Sequence, residues 1–137
     1  MYNRIICAVD LSNAAQSKAL LERAAKLLSA GGEIRLLHVL EEVPSYIAAE
    51  LPRDLADRRE AETRVELKAM IAGVEARVAP EVRTGAASAQ ILDSAADSDA
   101  ELIMIASHKP GMSDYFIGST AARVVRHAQC SVLIVRV

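Results

Sequence analysis

The 137-residue chain has few aromatic residues and almost no excess charge, and each scarcity excludes a class of protein. Aromatic side chains make up 3% of the residues and tryptophan is absent, so the core must be built mainly from aliphatic side chains. The formal net charge is −2, from 16 basic and 18 acidic residues, which provides no general attraction to nucleic acid or anionic lipid. No apolar run approaches the roughly 18 residues that a membrane span needs. We therefore expect no nucleic-acid partner and no membrane partner.

Cysteine is also scarce, and no targeting segment is evident. Cys7 lies in an apolar run and Cys130 follows a helical pattern, so the two cysteines are a poor basis for a disulfide framework and are interpreted as small buried side chains. Residues 1–4 lack the charged and apolar parts of a signal peptide, which predicts a cytoplasmic protein. The length predicts a single domain over residues 1–137.

Short apolar runs alternate with helical patterns along the chain. The runs typical of strands cover residues 4–9, 34–40, 78–84, 102–106 and 131–137. Helical patterns lie between them: residues 14–29 ended by Gly31-Gly32, a long segment beginning near Pro52, a short one capped by Ser88, and one opened by Gly118. This alternation predicts an α/β fold, a parallel sheet with helices on both faces. Pro80 predicts an edge position for the third strand, and the last strand takes the opposite edge.

Ligands of such sheets bind beyond the carboxyl ends of the strands. This rule collects Asp10 after the first strand, residues 38–40 at the second and residues 106–109 at the fourth. Residues 118–120 (Gly-Ser-Thr) open the next helix, where free backbone N–H groups can bind an anion. The alternatives are an ordinary helix cap for residues 118–120, a turn-forming role for Asp10, and a core histidine bonded to backbone for His38. The histidine spacing offers no metal motif, so no metal site is predicted.

Neither the P-loop motif nor the usual dinucleotide fingerprint occurs in the chain, but three other segments resemble a known family. Ile-Ile-Cys-Ala-Val-Asp ending at Asp10, Leu-Leu-His-Val at 36–39, and the segment 107–135 together resemble the universal stress protein family over essentially the whole chain. Most nucleotide binders of that family have Gly-x-x-Gly, a spacer and Gly-(Ser/Thr), whereas Ala106 and Lys109 stand at the first two glycine positions here. Ala-Ser-His-Lys-Pro at 106–110 resembles the small FG-type branch, which carries a basic residue and proline there and is linked with ATP binding.

The resemblance implies a fold, a ligand and an assembly. The fold is Rossmann-like, of the adenine nucleotide alpha hydrolase type, with strand order 3-2-1-4-5. The ligand is ATP or AMP, with or without Mg²⁺. The assembly is a homodimer in which the C-terminal strands of two copies pair. The residues at matching positions are Ala8, Val9 and Asp10 in the adenosine pocket, Val39 at the adenine, and Ala106, Ser107, His108, Lys109, Gly118, Ser119 and Thr120 in the phosphate loop.

Three functions remain open at this point. The favoured one is a regulatory stress-response module that binds an adenine nucleotide and presents a state-dependent surface to a client protein. The second is a slow ATPase or self-phosphorylating enzyme with Ser107, Ser119 or Thr120 as acceptor, but the sequence contains no recognisable base to orient a nucleophile. The third is a structural stress partner that binds no nucleotide.

Overall fold

The computed structural model describes residues 1–107 and 118–136. Within them the elements follow the order β1 (Tyr2–Ala8), α1 (Ala14–Leu27), β2 (Leu28–Leu40), α2 (Ser45–Ala48), α3 (Leu55–Ile71), β3 (Val78–Thr84), α4 (Ala87–Asp97), β4 (Leu102–Ala106), α5 (Ser119–His127) and β5 (Ser131–Val135). The strands form a parallel sheet in the order β3-β2-β1-β4-β5. The predicted α/β fold and strand order are confirmed.

Helices cover both faces of the sheet. Successive strand residues point to opposite faces, so each strand contributes side chains to both helical layers. On one face Ile5 and Cys7 of β1 pack in a buried cluster with Leu20 of α1 and Leu67 of α3. On the other face Ile6 belongs to a second cluster, which contains side chains of α4 and α5. The central strands are therefore shielded from water on both sides, as their nearly continuous apolar sequences predict.

The two sheet edges are the predicted ones. Pro80 lies in β3, opposite Leu36 of β2, and β3 has no strand on its other side among the described residues. Proline is tolerated there because an edge strand needs no second set of ladder hydrogen bonds. The opposite edge is β5, on which Leu133 is 38% exposed.

The glycine pair after the first helix differs from its predicted role. Helix α1 ends at Leu27, and Gly31 and Gly32 lie inside β2 and do not end the helix. The ladder with β1 is irregular here, and Gly31 has a φ of +80°, a conformation that favours glycine. A Cβ on the buried Gly32 would lie 2.8 Å from the Asn3 carbonyl oxygen. The two glycines thus allow an irregular start of β2 against β1.

Three other boundaries also differ from the sequence predictions. Helix α4 begins at Ala87 after the extended Ala86, so Ser88 lies within the helix and does not cap it. Its start is set by the chain leaving β3 through Gly85, whose φ is +142°. Helix α3 begins at Leu55, and the Leu55 N–H donates to the Pro52 carbonyl in the turn that precedes the helix. The short helix α2 is not among the helical patterns found in the sequence.

Both cysteines are free, as predicted. Cys7 is fully buried, whereas Cys130 is only partly buried, so the prediction of burial is confirmed in full for Cys7 alone. Across residues 1–107 and 118–136, no helix combines the length and the apolar character required to traverse a bilayer.

Candidate functional site

A cavity of about 480 Å³ lies above the carboxyl ends of β1, β2 and β4. This volume falls within the range of small-molecule sites, roughly 300–1,000 Å³. The position is the one expected for a sheet of this topology, in which the chain leaves β1 and β4 toward different faces. Six of the eleven site residues implied by the resemblance line it together: Ala8, Val9, Asp10, Val39, Ala106 and Thr120.

The remaining predicted site residues do not line this cavity or are not described. Ser107 directly follows Ala106, and its backbone N–H donates to the Val135 carbonyl at 2.6 Å. Gly118 is the N-cap of α5, and Ser119 is exposed at the start of that helix. His108 and Lys109 lie outside the described residues.

A second cavity, of about 470 Å³, lies toward the amino ends of β4 and β5. Its lining includes Ala95, Asp99 and Ile103 on one side and His127 and Cys130 on the other. It contains none of the residues that the sequence singled out for ligand binding, and it lies at the end of the sheet opposite to the one where ligands bind in such folds. We therefore take the cavity at the carboxyl ends, called the carboxyl-end cavity below, as the candidate site.

Asp10 both forms a turn and lines the carboxyl-end cavity. Its Oδ1 atom accepts hydrogen bonds from the Ser12 N–H at 3.0 Å and from the Ser12 hydroxyl at 2.7 Å. Its carbonyl accepts from the Asn13 N–H at 3.0 Å and from the buried Ser17 hydroxyl at 2.8 Å. The turn-forming interpretation is thus confirmed, and the same bonds hold the carboxylate of Asp10 in one orientation at the cavity wall.

The start of α5 adjoins the same cavity. Gly118 has φ −54° and ψ 154°, and its carbonyl accepts the first helical hydrogen bond from the Ala122 N–H at 2.9 Å. Gly118 has no side chain with which to cap this end of the helix, and Thr120 in the first turn lines the cavity. The first N–H groups of a helix lack intrahelical partners and carry its positive end. This arrangement is suited to binding an anion.

His38 is held by the backbone of the neighbouring strand. Its Nδ1 atom lies 3.0 Å from the Val9 carbonyl oxygen, and the side chain is partly buried. The interpretation of His38 as a core histidine bonded to backbone is confirmed. His38 also lines the carboxyl-end cavity, so the structural role does not remove it from the site.

Four polar residues of the cavity wall were missed from the sequence: Gln16, Ser17, Glu41 and Arg59. Arg59 of α3 lines the cavity, although the charged run 53–64 was interpreted as a solvated face. The spacing could have revealed the inward position of Arg59. Arg59, Thr63 and Leu67 lie four residues apart and therefore share one helix face, and Thr63 and Leu67 are buried. Gln16 of α1 was noted only for its capping distance from Asn13, yet its Nε2 atom donates to the Ser107 carbonyl at 3.0 Å.

Cys7, Cys130 and Arg83 have shifted pKa values and lie outside the lining of the carboxyl-end cavity. Burial raises the pKa of the Cys7 thiol to about 12 and also raises that of Cys130. Burial lowers the pKa of Arg83, but its hydrogen bonds and ion pairs with Asp97 and Glu81 outweigh this effect and leave the pKa raised. Glu81 also accepts a hydrogen bond from the buried Ser94 hydroxyl, so this network ties β3 to α4.

The described residues contain no group of three or more histidine, cysteine, aspartate or glutamate side chains that could hold a metal ion.

A parallel sheet of order 3-2-1-4-5 with a cavity over its carboxyl ends defines a Rossmann-like α/β protein. The chain belongs to the universal stress protein family, whose model matches residues 1–136. It is 33% identical over 145 residues to universal stress protein G of Salmonella typhimurium, covering 99% of this chain and 100% of that protein.

The solved structures that share the fold include two complexes with nucleotides. One is a universal stress protein in complex with cAMP, with a TM-score of 0.68, 19% identity and coverage of 98% of this chain and 97% of that one. The other is the universal stress protein from Archaeoglobus fulgidus in complex with dAMP, with a TM-score of 0.66, 19% identity and coverage of 98% of both chains.

Proposed function

We propose that this protein binds an adenine nucleotide in the carboxyl-end cavity and acts in the cytoplasm as a regulatory module of the stress response. The observation that carries the proposal is the meeting of a helix start with the strand ends around one cavity of about 480 Å³. An anion site beside a partly apolar wall suits a ligand with a phosphate at one end and a flat base at the other.

The phosphates and the adenosine are assigned to different parts of the cavity. The phosphates lie at the start of α5, where Gly118 permits close approach of the backbone and Thr120 adds a hydroxyl; Ser107, His108, Lys109 and Ser119 complete the proposed phosphate loop. The apolar side chains of Ala8, Val9, Val39 and Ala106 offer surface to the adenosine. Asp10, whose carboxylate is oriented by Ser12, accepts from a ribose hydroxyl.

The two related structures with cAMP and dAMP support an adenine mononucleotide as the ligand. We extend the proposal to AMP and ATP because both carry the same base and a terminal phosphate group. Mg²⁺ belongs to the proposal only together with ATP, since its ligands would be phosphate oxygens and one carboxylate.

The test begins with the protein as purified. Heating releases any retained small molecule, which mass spectrometry identifies, and calorimetric titration with AMP, ATP, ATP with Mg²⁺ and GMP then measures affinity. We expect an adenine nucleotide in the extract and tighter binding of AMP than of GMP. Gln129→Ala, in the second cavity, is the control and should bind as the parent does. Absence of any nucleotide binding by the folded protein would refute the proposal. Steady release of phosphate from ATP would show that the protein is an ATPase and not a binding module.

We also propose that two copies pair through β5 to form a homodimer. This strand is an edge of the sheet, carries the partly exposed Leu133, and contains neither proline nor a charged residue between Ser131 and Val135. Exposed apolar edge strands of this kind are normally covered or paired in soluble proteins. A two-fold axis beside β5 would pair the two strands antiparallel.

A further inference from the structure

The carbonyl group of Ser107 lies just beyond the end of β4, where the sheet no longer supplies its hydrogen bond. Strand β4 ends at Ala106, and the N–H of Ser107 still donates to the Val135 carbonyl at 2.6 Å. The Ser107 carbonyl instead accepts from the side chain of Gln16, whose Nε2 atom lies 3.0 Å away. Among the described residues this is the only hydrogen bond to that carbonyl. One side chain of α1 therefore completes the backbone hydrogen bonding at the end of β4.

Gln16 is itself held by the start of α1. Its backbone N–H donates to Oδ1 of the N-cap residue Asn13 at 3.1 Å, and the Asn13 N–H donates to the Asp10 carbonyl at 3.0 Å. The hydroxyl of Ser17, the next residue, donates to the same carbonyl at 2.8 Å. The side-chain amide has one useful orientation, because a carbonyl oxygen only accepts and only the NH2 end of the amide donates. The first turn of α1 thus links the end of β1 to the end of β4.

This link lies on the side of the carboxyl-end cavity to which the phosphates are assigned. Gln16, Ala106 and Thr120 all line the cavity, so the first turn of α1, the end of β4 and the start of α5 adjoin it together. A carbonyl oxygen carries partial negative charge and opposes an anion near it. Bonded to the Gln16 amide, the Ser107 oxygen is paired and has a defined direction before a ligand binds. Binding of a phosphate then requires less ordering of the backbone.

We infer that Gln16 is a positioning residue for the phosphate of the nucleotide, acting by holding the Ser107 carbonyl at the end of β4 and not by contacting the ligand. This inference rests on the proposed nucleotide binding. It separates two parts of the ligand, because adenosine has no phosphate and does not depend on the arrangement at the end of β4. Loss of the Gln16 donor should therefore weaken AMP and leave adenosine nearly unaffected. A merely structural role would weaken both ligands alike or neither.

Two substitutions of similar size remove the donor. Gln16→Met keeps the length of the side chain without a polar hydrogen, and Gln16→Glu keeps its shape but, when ionised, only accepts hydrogen bonds. Gln129→Met makes the same chemical change in the second cavity and is the matched control. Titrations of the parent and the three variants with AMP and adenosine at neutral pH give the affinities, and thermal unfolding reports on the fold.

NMR observes the Ser107 carbonyl directly. His108 is the one histidine in the sequence that follows a serine, so carbon-13 in serine carbonyls and nitrogen-15 in histidine backbones together mark a single peptide bond. The carbon-13 resonance of that peptide bond responds to the hydrogen bond that its carbonyl accepts. Its position in the ligand-free parent and variants therefore shows whether Gln16 holds the Ser107 carbonyl in solution.

We expect Gln16→Met to lower AMP affinity about three- to tenfold and adenosine affinity less than about twofold, and Gln16→Glu to lose at least as much AMP affinity. The Ser107 resonance should move in both variants, and Gln129→Met should match the parent in resonance and affinity. Unchanged AMP affinity in folded Gln16→Met, or an equal loss for adenosine, would overturn the inference. Loss of AMP affinity with an unmoved Ser107 resonance would assign Gln16 to direct ligand contact and also overturn it. Failure of the parent to bind AMP would instead refute the proposed function.

Discussion

The Gly118→Val substitution separates nucleotide binding from folding. The φ of −54° and ψ of 154° at Gly118 lie in the region open to any L-residue, so valine requires no strained backbone. The position is a helix N-cap without a side-chain hydrogen bond, and replacing glycine there with an apolar residue should cost up to about 1 kcal/mol of folding free energy. The fold should therefore survive, while the branched side chain occupies the space in which a phosphate would approach the helix start.

The hydroxyl groups next to Gly118 provide a graded comparison. In the proposed complex, Ser119→Ala and Thr120→Val would each remove one hydrogen bond to a charged group, which is worth about 1.5–3 kcal/mol, or roughly ten- to a hundredfold in affinity. Gly118→Val should reduce affinity beyond both, because it blocks the backbone donors together. Ser131→Ala removes an exposed hydroxyl at the amino end of β5 and is the matched control, with unchanged affinity expected.

Calorimetric titration with ATP and AMP measures these losses, and circular dichroism with urea unfolding confirms that each variant is folded. If folded Gly118→Val binds a nucleotide as tightly as the parent, the phosphate does not lie at the start of α5. If Ser131→Ala loses as much affinity as Ser119→Ala, the losses do not report on the helix start.

Three further predictions concern stability and assembly. Gly32→Ala should lower the free energy of unfolding by about 1–3 kcal/mol in urea, because the added methyl group would lie 2.8 Å from the Asn3 carbonyl oxygen; an unchanged midpoint would contradict this packing. Light scattering should show a dimer for the parent and a larger monomer fraction for Ile134→Lys on β5, while Val65→Lys, on an exposed site of α3, stays dimeric; a monomeric parent would remove the dimer proposal. Between about pH 9 and 12 the unfolded Cys7 thiol loses a proton that the folded thiol keeps, so stability should fall with rising pH by up to about 1.4 kcal/mol per unit more in the parent than in Cys7→Ala.

Features repeated along the chain were the ones that the sequence predicted correctly. The alternation of apolar runs with helical patterns indicated the parallel sheet, and Pro80 indicated its edge, because a ladder excludes proline from the centre. Single-residue signals at helix starts were less reliable. Ser88 is a good N-cap by preference, yet α4 begins earlier because the exit from β3 through Gly85 decides where the helix can form. Local preference is a weak effect beside the geometry of a strand that is already paired.

The candidate site likewise contains residues that the sequence predicted and residues that it did not. The rule that ligands meet the carboxyl ends of parallel strands correctly predicted that Asp10, Val39 and Ala106 lie at one cavity. Arg59 was not found, because charges surround it in the sequence and its inward position follows only from the burial of Thr63 and Leu67. The contact between Gln16 and the Ser107 carbonyl joins residues 91 positions apart, and no local pattern predicts such a pair.

The residues around the carboxyl-end cavity also show why structural and functional interpretations of one side chain are not exclusive alternatives. Asp10 forms a turn through Ser12, and His38 forms a hydrogen bond with the Val9 carbonyl, so the structural interpretation is correct for both residues. The strands end at the cavity, and their last carbonyl and N–H groups must find partners among nearby polar side chains. A side chain recruited for that purpose loses its rotational freedom, and the part of it that faces the cavity is held in a defined orientation before a ligand arrives. Binding then requires less ordering of the protein, so the hydrogen bonds that end the strands favour recognition at the same place.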